Sequence, residues 1–278
     1  MKRVSIIFLN FLMIIFSFES VFAGPYSPAA GEPGSTAIHM DNPAFVGWSS
    51  GYVNYNPGTE LDLQWQTPEK ALGKAVGSSD DIVSLGRGGS ITMTFDTPII
   101  DAEGWDFAVF ENALNDTFLE LAYVEVSSDG TNFYRFDNNS LTPKPVGGFG
   151  AVEPTNITGY GGKYRQGYGT PFDLASLIGI SGLDVSSIGW VRIVDIVGDG
   201  TYSDTYGGTV YDPYPTVQSA GFDLDAIGVI NQGFVEGDFD GDGDVDGADL
   251  AAYVSDAGDI TLESFAADFG KIVFSEIL

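Results

Sequence analysis

Cysteine is absent and histidine occurs once, at His39. The first absence removes disulfides, thiolate metal sites and thiol nucleophiles, so stability has to come from burial and from bound metal. The second leaves a Ser–His–Asp triad or a multi-histidine zinc site with nothing to build on. Positive charge is scarce too: 11 Lys and Arg stand against 39 Asp and Glu, for a formal net charge of -28. A surface of that sign repels a phosphate backbone, which excludes nucleic acid as a partner. Between Ile193 and Gly270 there is no Lys or Arg, whereas Asp recurs throughout. That stretch calls for a divalent cation.

Long apolar runs are missing except at the N-terminus. Lys2 and Arg3 precede an apolar stretch over 4–18, and small residues lead up to Ala23. This is the order of a secretory signal over 1–23, cut after Ala23. Asn10, Ser17 and Glu19 interrupt the run and argue against a membrane anchor. The expected location is therefore secreted, extracellular or cell surface, with no membrane span after cleavage. "GPYSPAAGEPG", residues 24–34, reads as a flexible leader.

What is present suffices for a full-sized core, at 44% hydrophobic and 13% aromatic over 278 residues. From 35 to 231 short apolar runs are broken by Gly, Asp, Asn and Pro, the spacing of a β-sandwich rather than of βαβ units. "SITMTF" puts Ile91, Met93 and Phe95 on one face. "DFAVFE" is apolar on both faces and reads as central. "AYVEVSSDGTNFYRF" carries a hairpin signal at Asp129-Gly130. "WVRIVDIV" and "GFDLDAIGVI" supply two later strands. The long segment between them is rich in Gly, Tyr and Asp, and a loop of that length is functional or disordered.

"DFDGDGDVDGADL" crowds carboxylates that repel each other unless a cation organises them. Calcium takes six to eight oxygens, and a twelve-residue loop supplies them from positions 1, 3, 5, 7, 9 and 12 with Gly at 6. With Asp238 at position 1, Asp240, Asp242, Asp246 and Asp249 fall at 3, 5, 9 and 12, Asp244 offers its carbonyl at 7, and Gly243 takes the turn. Val245 is the apolar residue at 8, and a helix begins near Leu250. Short helices are expected over 248–254 and 262–269.

This run resembles the calcium loop of dockerin modules, the small attachment domains whose loop ends in Asp. The resemblance covers 236–271 and implies a separate α-helical calcium-binding module. Dockerins carry two loops. Here the second register places Tyr253, Ser255 and Ala257 where ligands should be, so the second loop does not bind calcium and a cohesin-type partner is not implied. "VEVSSDGTNFYRF" and "GFDLDAIGVIN" are similar to strands of discoidin-type, galactose-binding-like jelly rolls. Together with "FAVFEN", "GYGTPFDLA", "VRIVDIVGDG" and "YDPYP", they also resemble bacterial cell-surface proteins with sorting or dockerin-like tails. The expected fold is thus mainly β, a jelly-roll β-sandwich followed by a small helical module.

Two further sets of residues have open readings. In the closing strand Phe222, Leu224 and Ala226 share one face, and Asp223 and Asp225 share the other with Ile227 and Val229. Those carboxylates are either paired with Arg192 or Arg87, or hold a second, structural calcium with Glu111 and Asp195. Tyr160, Tyr164, Tyr168, Tyr202, Tyr206, Tyr211 and Tyr214 either stack on sugar rings or simply order Gly-rich loops. The expected function is a non-catalytic glycan- or matrix-binding module with a docking tail. The alternatives are a structural or docking surface protein, and a glycosidase drawing its carboxylate pair from Glu111, Glu120 and Glu125.

Overall fold

A computed structural model describes residues 24–233, 237, 239, 245–255 and 260–270, the side chains of 267 and 268 excepted. The expected signal over 1–23 lies outside the described residues. Among the described residues thirteen strands follow in chain order: β1 (Ile38–His39), β2 (Gly47–Trp48), β3 (Gly51–Asn56), β4 (Val83–Ser84), β5 (Ser90–Ile99), β6 (Phe107–Glu111), β7 (Ala122–Ser127), β8 (Tyr134–Arg135), β9 (Asn139–Ser140), β10 (Ile157–Thr158), β11 (Tyr168–Phe172), β12 (Ile188–Asp195) and β13 (Asp223–Val229). One sheet runs β1-β11-β6-β13-β2, with β4 also on β13. The other runs β3-β5-β12-β7-β8, and β9 and β10 form a separate ribbon. All these pairs are antiparallel. The architecture is mainly β and sandwich-like.

Period-two alternation builds the core. Met93, Val191 and Val126 sit side by side across β5, β12 and β7, as do Ile91, Ile193 and Val124. They meet Phe107, Val109, Leu224, Ile227 and Val229 from the other sheet. Each such side chain, fully buried, contributes about 1.5–3 kcal/mol. β6 is buried at every residue between β11 and β13, as its two apolar faces predict. The Asp129-Gly130 hairpin also forms: Gly130 has φ 69°, and β7 pairs with β8.

The faces of β13 differ from the alternation read from sequence. Its register with β6 shifts between Leu224 and Ala226. The slip leaves Leu224, Ile227 and Val229 together in the core, while Ala226 packs with Phe110 and Ala108 near Phe45 and Trp48. A bulge resets the alternation by one residue, and it separates Asp223 from Asp225.

The segment 24–34 is not a free lead-in. Gly24 N donates to Thr155 Oγ1 at 2.7 Å and Tyr26 N to Thr155 O at 3.1 Å. Ser27 Oγ lies 2.7 Å from the buried Tyr164 hydroxyl. Toward the C-terminus, α1 (Gly247–Ser255) and α2 (Leu262–Asp268) fall where helices were expected. Val245 and Phe265 are buried between them, with Phe239, Tyr253 and Ile260 around. No helix among the described residues is long and apolar enough to cross a membrane.

Candidate metal centre

Of the C-terminal loop, Asp238, Asp240, Asp242 and Asp244 lie outside the described residues; Asp246 and Asp249 lie within them. Asp249 stands in the first turn of α1 and is 0% exposed. Its Oδ1 accepts from Phe239 N at 2.6 Å and its Oδ2 from Asp246 N at 2.8 Å. Asp246 Oδ1 in turn accepts from Ala248 N at 2.6 Å, capping the helix.

A second concentration of carboxylates lies at one end of the sandwich. Glu111 closes β6, Asp223 opens β13, and Asp195 closes β12. These three were expected from the sequence, and the fold brings them into one another's field. The fold adds Glu120, which the sequence offered only for a glycosidase pair, and Asp212, which it did not single out. Glu120 lies two residues before β7, and Asp212 reaches in from the long loop to accept from Leu121 N at 2.8 Å. Their signals were present: Asp212 is the acid of "YDPYP", and both lie at the edge of runs otherwise apolar or aromatic. Exposure is 2% at Glu111, 7% at Glu120, 2% at Asp212 and 9% at Asp223. Burial pushes all of these carboxyls up, well above the ordinary range for Glu111, Glu120 and Asp212, and to about 7 for Asp195 and Asp223. Mutual repulsion adds to burial, since Asp223 raises both Glu111 and Glu120.

Asp195 is the most fully satisfied member. Its Oδ2 accepts from Gly88 N at 2.7 Å and its Oδ1 from Phe222 N at 2.8 Å. Asp225 is not part of the group: beyond the bulge, its two oxygens accept from Val76 N at 3.0 Å and Gly77 N at 2.8 Å. Neither arginine pairs with Asp223 or Asp225. Arg192 binds Glu125, which Arg135 also grips at 2.8 Å. Arg87 donates to Thr216 O and lies over the Tyr214 ring. Glu125 is thus held between two guanidinium groups, away from Glu111 and Glu120.

One other set converges more tightly: oxygens of Asp101, Asp106 and Asp173 all lie within 4.8 Å of one another. Donors already occupy Asp106 and Asp173, whereas Asp101 Oδ1 is buried without a hydrogen-bond partner. Asp106 accepts from Ala102 N at 3.0 Å, Leu174 N at 2.7 Å and Asn231 Nδ2 at 2.8 Å, and Asp173 caps a turn through Ala175 N. The set ties the entrance of β6 to the chain after β13.

The tyrosines do not form one platform. Tyr160 and Tyr164 are core residues, the first packed near Tyr123 and the second bonded to Ser27 and Thr36. Tyr168 meets His39 edge-on, Tyr202 leans on Tyr123, Tyr211 lies against Gly200, and Tyr214 sits beneath Arg87. Tyr206 alone of the seven is largely exposed. An aromatic-lined groove occurs elsewhere: about 730 Å³ bounded by Asp41, Asn42, Phe45, Trp48 and Lys74. No protein-family model matches the chain, and no curated protein is significantly similar to it.

Proposed function

We propose that the chain is an exported, calcium-binding protein of the cell surface or extracellular space. In this reading a non-catalytic, galactose-binding-like jelly roll serves as a glycan- or matrix-binding module, and a dockerin-like calcium loop follows it. The observation that carries the proposal is Asp249. Asp249 has no exposed surface, and each of its oxygens accepts a backbone N–H, from Phe239 and from Asp246. A carboxylate oxygen has more than one lone pair and can face a cation as well, which supports reading Asp249 as the closing ligand of a calcium loop. Val245, the apolar residue of the loop, is buried against Phe265, which gives the module a core of its own. Gly24, the expected first residue of the mature chain, is docked on the sandwich, its N donating to Thr155 Oγ1 at 2.7 Å. A Cβ there would meet Thr155 O at 2.1 Å, so the docked terminus accepts only glycine.

Calorimetric titration tests the calcium. Affinity is expected between about 10⁻⁶ and 10⁻³ M, from sensor to extracellular sites, and magnesium competes poorly because it demands a smaller octahedral shell. Replacing Asp238 and Asp249 together by Ala removes the first and last ligands, so the heat of that site should vanish while the sandwich keeps its melting transition. Unchanged stoichiometry would place the ion elsewhere.

The groove beside Trp48 is the better candidate for a sugar than the tyrosine loops, since a half-buried indole flanked by Asp41, Asn42 and Lys74 offers a stacking face with polar groups at its rim. A glycan array with the wild-type chain and with Trp48→Ala tests it. Binding lost in the variant supports the glycan module. No binding by either chain leaves the reading of a structural or docking surface protein, with a cell-surface protein as the partner.

A further inference from the structure

The calcium loop leaves Glu111, Glu120, Asp212 and Asp223 without a use. They come from two stretches of chain, 111–120 and 212–223, brought together where Leu224 pairs with Glu111, where Asn112 N donates to Asp223 O at 3.1 Å and where Leu121 N donates to Asp212 Oδ2 at 2.8 Å. No Lys or Arg reaches them: among the described residues the ion pairs are formed by other groups. Hydrogen bonds satisfy them only in part. Asp212 Oδ2 has Leu121 N, Glu111 Oε2 has Ala113 N at 2.7 Å, and Asp223 Oδ1 has the Ser84 hydroxyl. Glu120 is more than nine-tenths buried, and its Oε1 has no hydrogen-bond partner at all. The chain sets Asp212 next to it, through the bond from Leu121 N, and after burial the charges that raise the Glu120 carboxyl are those of Asp223, Glu111, Asp212 and Asp195.

Leaving a carboxylate buried and unpaired costs several kcal/mol, and four of one sign compound the cost. A cation among them removes it. The donor set is oxygen only: the chain has no cysteine, and its one histidine, His39, lies exposed in β1, so nothing here favours a softer metal. Oxygen-only sets rich in carboxylate suit calcium, which tolerates irregular geometry and six to eight ligands. No three of these residues bring oxygens within 4.8 Å of one another, so the side chains must rotate inward to close the shell. We propose that Glu111, Glu120, Asp212 and Asp223 bind a calcium ion that fastens the loop carrying Asp212 to both sheets of the sandwich.

This site is independent of the C-terminal loop, and the test separates the two. In the full mature chain carrying Asp238→Ala and Asp249→Ala, calorimetry should still count one calcium. Melting should occur at higher temperature in calcium than in EDTA, and proteolysis within 199–220 should slow when calcium is added. Glu120→Gln on that background keeps the shape and removes the charge, and should weaken the remaining affinity at least tenfold. Asp101→Asn, in the other carboxylate set, should leave it unchanged. A double variant that binds no calcium, with melting and proteolysis indifferent to EDTA, overturns the proposal. So does a remaining ion lost with Asp101→Asn and kept with Glu120→Gln. Should Glu120→Gln fail to fold, the calcium dependence of loop proteolysis in the double variant and in its Asp101→Asn derivative decides the matter.

Discussion

Asp195 shows how a buried carboxylate can tie separate segments of a chain together. Both of its oxygens are taken by backbone donors, one from the turn at Gly88 and one from the residue before β13, so it joins three segments at one point. Packing around it is tight enough that a Cβ on Gly221 would meet its Oδ1 at 2.5 Å. Asp195→Ala should destabilise the chain by about 1–3 kcal/mol for each donor left without an acceptor, measurable by denaturant unfolding. Burial, the larger cause, lifts its carboxyl to about 7 despite those hydrogen bonds and Arg87. A carboxyl raised on folding keeps its proton in the native chain while the unfolded chain ionises, so stability falls as pH rises from the ordinary carboxylate range toward about 7 and levels off above. In EDTA, melting temperature should decline over that window. Asp195→Ala should flatten the slope; an unaltered slope would mean that other carboxyls carry it.

At the scale of elements, the bulge in β13 decides which carboxylate goes where. An uninterrupted strand would have put Asp223 and Asp225 on one face. The extra residue instead sends Asp223 to Ser84 and the acidic end of the sandwich, and Asp225 to the backbone at Val76 and Gly77. Asp225→Ala should therefore cost about 1–3 kcal/mol for each orphaned donor without altering calcium stoichiometry. The β7–β8 hairpin turns on Gly130, whose positive φ favours glycine and whose Cβ would meet Trp190 at 3.0 Å. Gly130→Ala should lower stability by about 1–2 kcal/mol, the cost of the left-handed region for a residue with a side chain, as read from the denaturation midpoint.

For the whole molecule, the sheets are closed before the acidic run begins. Ile99 bridges to Gln232, Ile100 N donates to Asn231 O, and Gly233 N donates to Pro98 O at 2.8 Å. A chain ending at Gly233 should unfold in one cooperative transition and keep its near-ultraviolet dichroism; a molten product would show that the C-terminal module completes the core. The long loop between β12 and β13 is ordered by its own acids. Asp204 accepts from Ser140 N, Tyr206 N and Gly208 N, Asp199 from Thr201 N, and Asp212 from Leu121 N. The loop that composition alone left as functional or disordered is therefore built into the molecule by side-chain to backbone bonds.

The amino-acid sequence by itself determined the principal strands, the hairpin at Gly130, the two short helices and the apolar place of Val245, because period-two alternation, turn chemistry and helical spacing are properties of neighbours along the chain. It also marked Asp223 and Asp225 as acids in need of a partner, with Glu111 and Asp195 as companions at a second calcium, from the polarity of single strands. Only the tertiary structure decided that Glu120 and Asp212 join Glu111, Asp195 and Asp223, that Asp225 does not, that Arg192 and Arg135 go to Glu125, and that Tyr160 and Tyr164 are core. Those outcomes depend on which strand ends meet across two sheets and on one residue of register in β13. A one-residue slip leaves composition untouched and turns every later side chain to the opposite face.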